Sequence, residues 1–304
     1  MEPSPAPSSH TASHLRHKSH GYGPHALQRV AVWEPDSSPP ANKQLPWLVY
    51  IHGGAWRDPC ITLYDFEPSI GHLGNDQIRG FASIDYRLSP HPDYPQDATS
   101  TPEDELRAAR HPDHLSDVRS ALRLLSTEYG LGADGYIIVG HSAGATLALQ
   151  LLLLPDDDDD DDDSDKPSIP PPQAIIAIAG IYDIVGLNTR YQGQYTDFLS
   201  AAFGPSKSDW RAASPITQAP RWPSLPHAPK LMLAHSPQDA LVDADEMRNM
   251  AARLAGCGVA DDVCLVPDLV GDHDAPWREG IQIASLVRRM LARLTAEEHV
   301  EHCP

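Results

Sequence analysis

Three residues of this sequence stand where a hydroxyl, an imidazole and a carboxylate could work together in nucleophilic catalysis. Ser142 sits in Gly140-His141-Ser142-Ala143-Gly144, directly after the apolar run Tyr136–Val139 and directly before helix-forming residues. A glycine on each side of x-Ser-x permits a sharp strand-to-helix turn that lifts the hydroxyl to the N-terminus of the next helix. Free N–H groups and the helix dipole favour negative charge there. A serine hydroxyl is a weak nucleophile at neutral pH, so it needs a base, a group that orients the base, and donors for the oxyanion.

The base expected here is His273 in LVGDHDAPW, and the orienting acid is Asp239 in LAHSPQDALV. The chain order Ser, Asp, His is that of hydrolases built on a parallel sheet. Asp183, Asp243 and Asp245 compete for the acid, the last two resembling residues at a helix start. His227 and His235 compete for the base but precede Asp239 and break the order. The oxyanion donors are expected from the backbone of Gly53 and Gly54 in YIHGGAW and of Ala143, the residue after the nucleophile. Trp56 either closes the acyl side of the site, stacks on a substrate ring, or packs beside the loop. Without partners, the glycine-bracketed serine would be only a tight turn.

These residues need a scaffold that brings strand ends together. The runs 27–34, 45–52, 80–88, 136–139, 174–180, 230–235 and 262–269 read as strands. Residues 114–130, about 143–154 and 279–294 read as helices, the first with Leu115, Val118, Leu122 and Leu125 on one face and Gly130 at its end. Alternating strands and helices imply βαβ units, and continuously apolar strands fit a sheet covered on both faces. The expectation is one α/β domain over 26–298 with a mostly parallel central sheet. Residues 181–226 interrupt the rhythm with aromatic, polar and proline residues, as a lid or substrate wall would, or as irregular packing.

Residues 1–25 are polar and rich in Pro, Ser and His, and read as a disordered tail, as do 299–304. His10, His14, His17, His20 and His25 in that tail would at most bind a metal adventitiously. Residues 155–172 are low-complexity, with eight consecutive aspartates followed by prolines, and read as a flexible acidic insertion or interaction segment. The net charge is −19, and the chain stays acidic without this run, which argues against a nucleic-acid surface. No apolar run is long enough to span a bilayer, and no apolar leader precedes the domain. Cys60, Cys257, Cys264 and Cys303 form no CxxC pair or disulfide framework, which fits a reduced, cytoplasmic location. Ser, His and Asp suffice for the chemistry and no HExxH or Cys/His cluster is present, so neither a metal nor another cofactor is expected.

Together these segments resemble the α/β-hydrolase superfamily over about residues 26–298. HGGAW (52–56), GHSAGA (140–145), AGIYDIVGL (179–187) and GDHD (271–274) are most similar to kynurenine formamidases (arylformamidases) of the fungal type. YRLSP (86–90) is also similar to a motif of hormone-sensitive-lipase-type esterases. Those carry a third glycine and an acidic residue before the serine, where this chain has Ala55 and His141. The acidic insertion departs from the family pattern. The resemblance implies an α/β-hydrolase fold and hydrolysis of N-formyl-L-kynurenine to L-kynurenine and formate, in tryptophan catabolism toward NAD. Tyr182, an aromatic of the segment 181–226, is with Trp56 a candidate substrate-binding residue. The alternatives are a broad carboxylesterase on the same triad and a binding module that kept the scaffold. The implied partner is the small-molecule substrate, with no nucleic acid and no membrane, and homodimerisation is left open.

Overall fold

The structure, a computed structural model, describes residues 15–36, 45–74, 77–132, 135–154, 169–220 and 228–301, with side chains through 296. The aspartate run of the acidic insertion, residues 221–226 of the wall segment, His227 and Cys303 lie outside the described residues.

Eight strands form one sheet: β1 Leu15–Gly21, β2 Arg29–Pro35, β3 Trp47–Ile51, β4 Gly80–Ile84, β5 Tyr136–His141, β6 Ala174–Ile178, β7 Lys230–Ala234 and β8 Val263–Val266. Their order is β1-β2-β4-β3-β5-β6-β7-β8. β2 pairs antiparallel with both neighbours, and every pairing from β4 through β8 is parallel. β3, β4, β5 and β6 are buried along their whole length. Their continuous apolar runs therefore reflect cover on both faces.

The helices are α1 Glu67–His72, α2 Asp113–Tyr129, α3 Ala143–Leu153, α4 Ile184–Arg190, α5 Thr196–Phe203, α6 Lys207–Ala213, α7 Ala244–Gly256, α8 Ala275–Glu279 and α9 Ile281–Glu301. One face of the sheet packs on Leu115, Val118, Leu122 and Leu125 of α2, with Leu147 of α3 and Met250 of α7. The other face packs on Ile70 of α1 and Ile283, Val287 and Met290 of α9. Gly130 ends α2 in the left-handed conformation, and its N–H donates to the carbonyls of Leu125 and Ser126. No helix among the described residues is long and apolar enough to cross a membrane.

Three expectations need correction. Residues 15–21, read as tail, form β1, paired in register with β2 from Leu15–Pro35 to Gly21–Arg29. Both faces of this edge strand are largely exposed, so its composition stays polar while its backbone is paired. Its histidines serve packing: His17 lies on Trp33 with ring centroids 5.0 Å apart, and His20 Nε2 lies 2.6 Å from the Tyr129 hydroxyl. The last helix, α9, starts at Ile281 rather than 279, because Gly280 adopts φ 72° and separates it from the short α8 before it. A Cβ at Gly280 would lie 2.4 Å from the backbone of Pro68, so glycine also permits α1 to approach. The segment 181–226 holds α4, α5 and α6 in its described part, so it is mainly helical.

Candidate active site

The turn after β5 is tight and strained. Ser142 has φ 52° and ψ −118°, unusual for a residue with a side chain, and its N–H donates to the Ile178 carbonyl at the end of β6 over 2.8 Å. The flanking glycines are needed for space. A Cβ on Gly140 would lie 2.5 Å from the Gly144 carbonyl oxygen, and one on Gly144 would lie 2.1 Å from that of Ile51. The side chain between them is thereby held at the start of α3, at the C-terminal edge of the sheet where ligand sites of such folds gather.

The loop after β3 lies against this turn. A Cβ on Gly53 would meet Ser142 Cβ at 3.1 Å. Gly54, Ala55 and Trp56 all have positive φ, at 87°, 49° and 57°. The N–H groups of Gly53, Gly54 and Ala143 enter none of the described backbone hydrogen bonds. They are the three groups that the sequence names as candidate oxyanion donors.

Asp239 and His273 are brought together as expected. His273 Nδ1 lies 2.7 Å from Asp239 Oδ2. The other carboxylate oxygen accepts the N–H groups of Leu241 (2.8 Å) and Val242 (2.9 Å), which fixes the acid from behind. Burial would push this carboxyl up. The hydrogen bond and charge of His273, with the two backbone donors, hold it below its ordinary value. The bond to Asp239 makes Nδ1 the protonated nitrogen and leaves Nε2 as the basic one. The competing acids have other tasks. Asp183 caps α4 through Gly186 N–H, and Asp243 caps α7 through Asp245 N–H while pairing with Arg190. His235 is buried at the end of β7.

Ser142 and His273 line one cleft of about 410 Å³, within the usual range for small-molecule sites. Gly54 and Ala55 form part of its floor. Leu187, Gln194, Tyr195 and Phe198, from the segment anticipated as a lid or wall, form one side, and Trp277 lies among the other lining residues. The wall is tied to the acid loop: Tyr195 hydroxyl donates to the Leu241 carbonyl at 2.6 Å.

Two expected contacts do not occur. Trp56 is 1% exposed and does not line the cleft. Its positive φ turns the indole inward, edge-on to Phe203 at 4.8 Å and beside Phe198 at 6.4 Å, so it supports the wall from behind. Tyr182 is likewise buried in the core, with its ring folded over Gly180 and its N–H donated to Glu246.

The structure adds groups that the sequence did not single out. Tyr86 hydroxyl lies 3.0 Å from the carbonyl oxygens of both His52 and Gly53. His52 stacks on Tyr86 at 4.4 Å, and its Nε2 lies 3.4 Å from Asp85 Oδ1. Burial pushes Asp85 up, but the bonds and charges of His52 and Arg29 hold it below the ordinary carboxylate value. Ser89 N–H donates to the Trp56 carbonyl at 2.9 Å. The segment 85–89 thus braces the glycine loop, and the signal was present in the YRLSP motif. His141 is the second addition: its Nε2 lies 2.8 Å from the His273 carbonyl oxygen. Burial, reinforced by neighbouring His273, pushes His141 down to about 3, so it is neutral and donates from Nε2.

His141, His273 and Asp274 also offer potential metal-ligand atoms within 4.8 Å of one another. In each imidazole one nitrogen is already engaged, by the His273 carbonyl and by Asp239.

Comparison with known proteins agrees with this geometry. A family model described as alpha/beta hydrolase fold matches residues 48–271. Kynurenine formamidase avaC of Aspergillus versicolor is 37% identical over 260 residues, covering 77% of this chain and 85% of that protein. The chain belongs to the kynurenine formamidase family of α/β-hydrolases. Kynurenine formamidase of Meyerozyma guilliermondii is 33% identical, with 76% of this chain and 77% of that protein covered. Among solved structures, esterase B of Lactobacillus rhamnosis shares the fold at a TM-score of 0.69 and 15% identity, covering 95% of this chain and 89% of that one. As a member of this family the chain is a hydrolase.

Proposed function

We propose that this α/β-hydrolase cleaves N-formyl-L-kynurenine to L-kynurenine and formate through a formyl-serine intermediate. The observation that carries the reading is the His273–Asp239 pair at 2.7 Å in the same cleft as Ser142, in a chain whose relatives are named kynurenine formamidase.

His273 Nε2 takes the proton of Ser142 Oγ as that oxygen bonds to the formyl carbon. The carbonyl electrons move onto oxygen, where the N–H groups of Gly53, Gly54 and Ala143 stabilise the charge. His273 then gives its proton to the anilide nitrogen, the C–N bond breaks, and L-kynurenine leaves as the free aromatic amine. Water enters, loses a proton to His273 and attacks the formyl-serine. Collapse of the second tetrahedral species breaks the ester bond, returns the proton to Ser142 and releases formate. Asp239 holds the imidazole tautomer and stabilises its charged form throughout. Formyl is the smallest acyl group, so the acyl side tolerates the close packing of Gly53 on Ser142.

The place of this step is tryptophan catabolism toward NAD, carried out by a cytoplasmic enzyme acting singly or as a homodimer. Incubation with N-formyl-L-kynurenine, with chromatographic measurement of both products, tests the reading. Equimolar L-kynurenine and formate from wild type, and neither from Ser142→Ala, are expected. Product from the alanine variant at the wild-type rate would remove Ser142 from the mechanism.

A further inference from the structure

We infer that Arg57 is the specificity residue of the cleft and that its guanidinium takes the α-carboxylate of the amino-acid substrate. This rests on the formamidase reading. N-formyl-L-kynurenine presents the formamide at one end and an ammonium–carboxylate pair at the other. With the formyl group at Ser142, the amino-acid end must find countercharges along the cleft wall.

Arg57 is placed for this by the loop that carries the oxyanion donors. Its N–H donates to the Gly54 carbonyl at 2.9 Å, which fixes it three residues beyond that glycine. Among the described residues lining the cleft it is the one lysine or arginine. Its side chain is 17% exposed, and the guanidinium carbon sits 5.6 Å from the centroid of the Phe198 ring. A cation on an aromatic face is held in place while its anionic partner changes.

The present partner is replaceable. Nη1 of Arg57 donates to Asp197 Oδ2 at 2.6 Å, but the Asp197 side chain is 74% exposed, and such surface pairs contribute little stability. A guanidinium carries five N–H donors in a planar fork suited to a carboxylate, so a buried substrate carboxylate can share or displace Asp197. Arg57, with His91, also lines an adjoining cavity of about 420 Å³. The other charged groups on the cleft, Asp58 and Asp274, are carboxylates suited to the substrate ammonium.

The test compares kcat/KM for N-formyl-L-kynurenine and for N-formylkynuramine, the same molecule with hydrogen in place of the carboxylate. Wild type, Arg57→Met, Arg57→Lys and Asp197→Asn are measured, with fluorophosphonate labelling of Ser142 as the check on folding. Wild type should prefer the carboxylate substrate. In Arg57→Met that preference should fall about tenfold or more, mainly through KM, the scale of one charge-assisted hydrogen bond. Arg57→Lys should keep part of it. Asp197→Asn should keep or raise it, because a competitor for Arg57 is removed. An unchanged preference in Arg57→Met, or the same loss in Asp197→Asn, would overturn the assignment and leave the ion pair a structural one. A wild type that turns over both formamides equally would overturn it as well. A wild type that turns over neither would overturn the formamidase reading and this assignment with it.

Discussion

The ring of His141 reaches across 132 residues of sequence to donate from Nε2 to the carbonyl oxygen of His273 at 2.8 Å. The residue before the candidate nucleophile therefore holds the backbone of the candidate base. The two imidazoles lie 4.7 Å apart, centroid to centroid, so a shift of one is felt by the other. Where related esterases carry an acid before the serine, this chain uses a neutral donor.

Replacing His141 tests that link. His141→Phe keeps the bulk and loses the donor, and should lower kcat about 10- to 100-fold with little change in KM, as expected for a misplaced base. His141→Gln can set an amide N–H near the position of Nε2 and should recover most of the loss. Steady-state kinetics on both variants decide it, and equal loss in the two would mean that imidazole shape rather than the donor matters.

Asp239→Asn should leave the fold intact and lower kcat by about 10⁴-fold, because an amide in that place favours the wrong imidazole tautomer. Circular dichroism checks the fold and the formamidase assay checks the rate. A loss below tenfold would show that His273 is oriented by other contacts.

Tyr86→Phe removes the hydroxyl that serves the carbonyls of His52 and Gly53. Leaving buried carbonyls short of a donor should cost about 1–3 kcal/mol, read as a lower urea midpoint. The same change should reduce kcat, because the loop that carries Gly53 and Gly54 loses its brace. Full kcat with reduced stability would separate the brace from catalysis.

Stability should fall as the solution is acidified below pH 6.5. His141 and His114 are buried and held down to about 3, the first beside His273 and Asp239, the second beside His111 and Arg87. The unfolded chain binds their protons near 6.5 and the folded chain does not, so stability is lost from there toward 3. Glu246, pushed up to about 7 by burial against the pull of Arg190 and its backbone donors, acts in the opposite sense between 4.5 and 7. The net loss should therefore be about 1.4 kcal/mol per pH unit above 4.5 and steeper below it. Urea titrations at pH 7.5, 5.5 and 4.0 measure this, and stability that rises on acidification from 7.5 to 5.5, leaving the Glu246 contribution alone, would show that the two histidines accept protons in the folded state.

Much of this arrangement was legible in the sequence because its parts are local. The glycines around Ser142 are demanded by backbone approaches within a few residues or on the adjacent strand β3. The mostly parallel sheet follows from apolar runs separated by helices, and the chain order of Ser142, Asp239 and His273 narrowed the choice of acid and base. What was missed depends on direction or on distant packing. Trp56 is inside because three positive φ angles turn it there, which a motif does not reveal. Tyr182 is buried with its ring over Gly180, a packing contact that the motif likewise does not reveal. β1 was hidden because an edge strand exposed on both faces carries no apolar alternation. The contact of His141 with His273 exists only once the end of β5 and the loop after β8 are side by side.

The most direct test of the central claim is kcat/KM for N-formyl-L-kynurenine, followed by absorbance, with p-nitrophenyl acetate run in parallel. The account predicts a value of about 10⁴ M⁻¹s⁻¹ or more, the lower end for enzymes on their own substrates, well above the ester value. Fast cleavage of the ester with no turnover of the formamide would contradict it and leave a general esterase on the same residues.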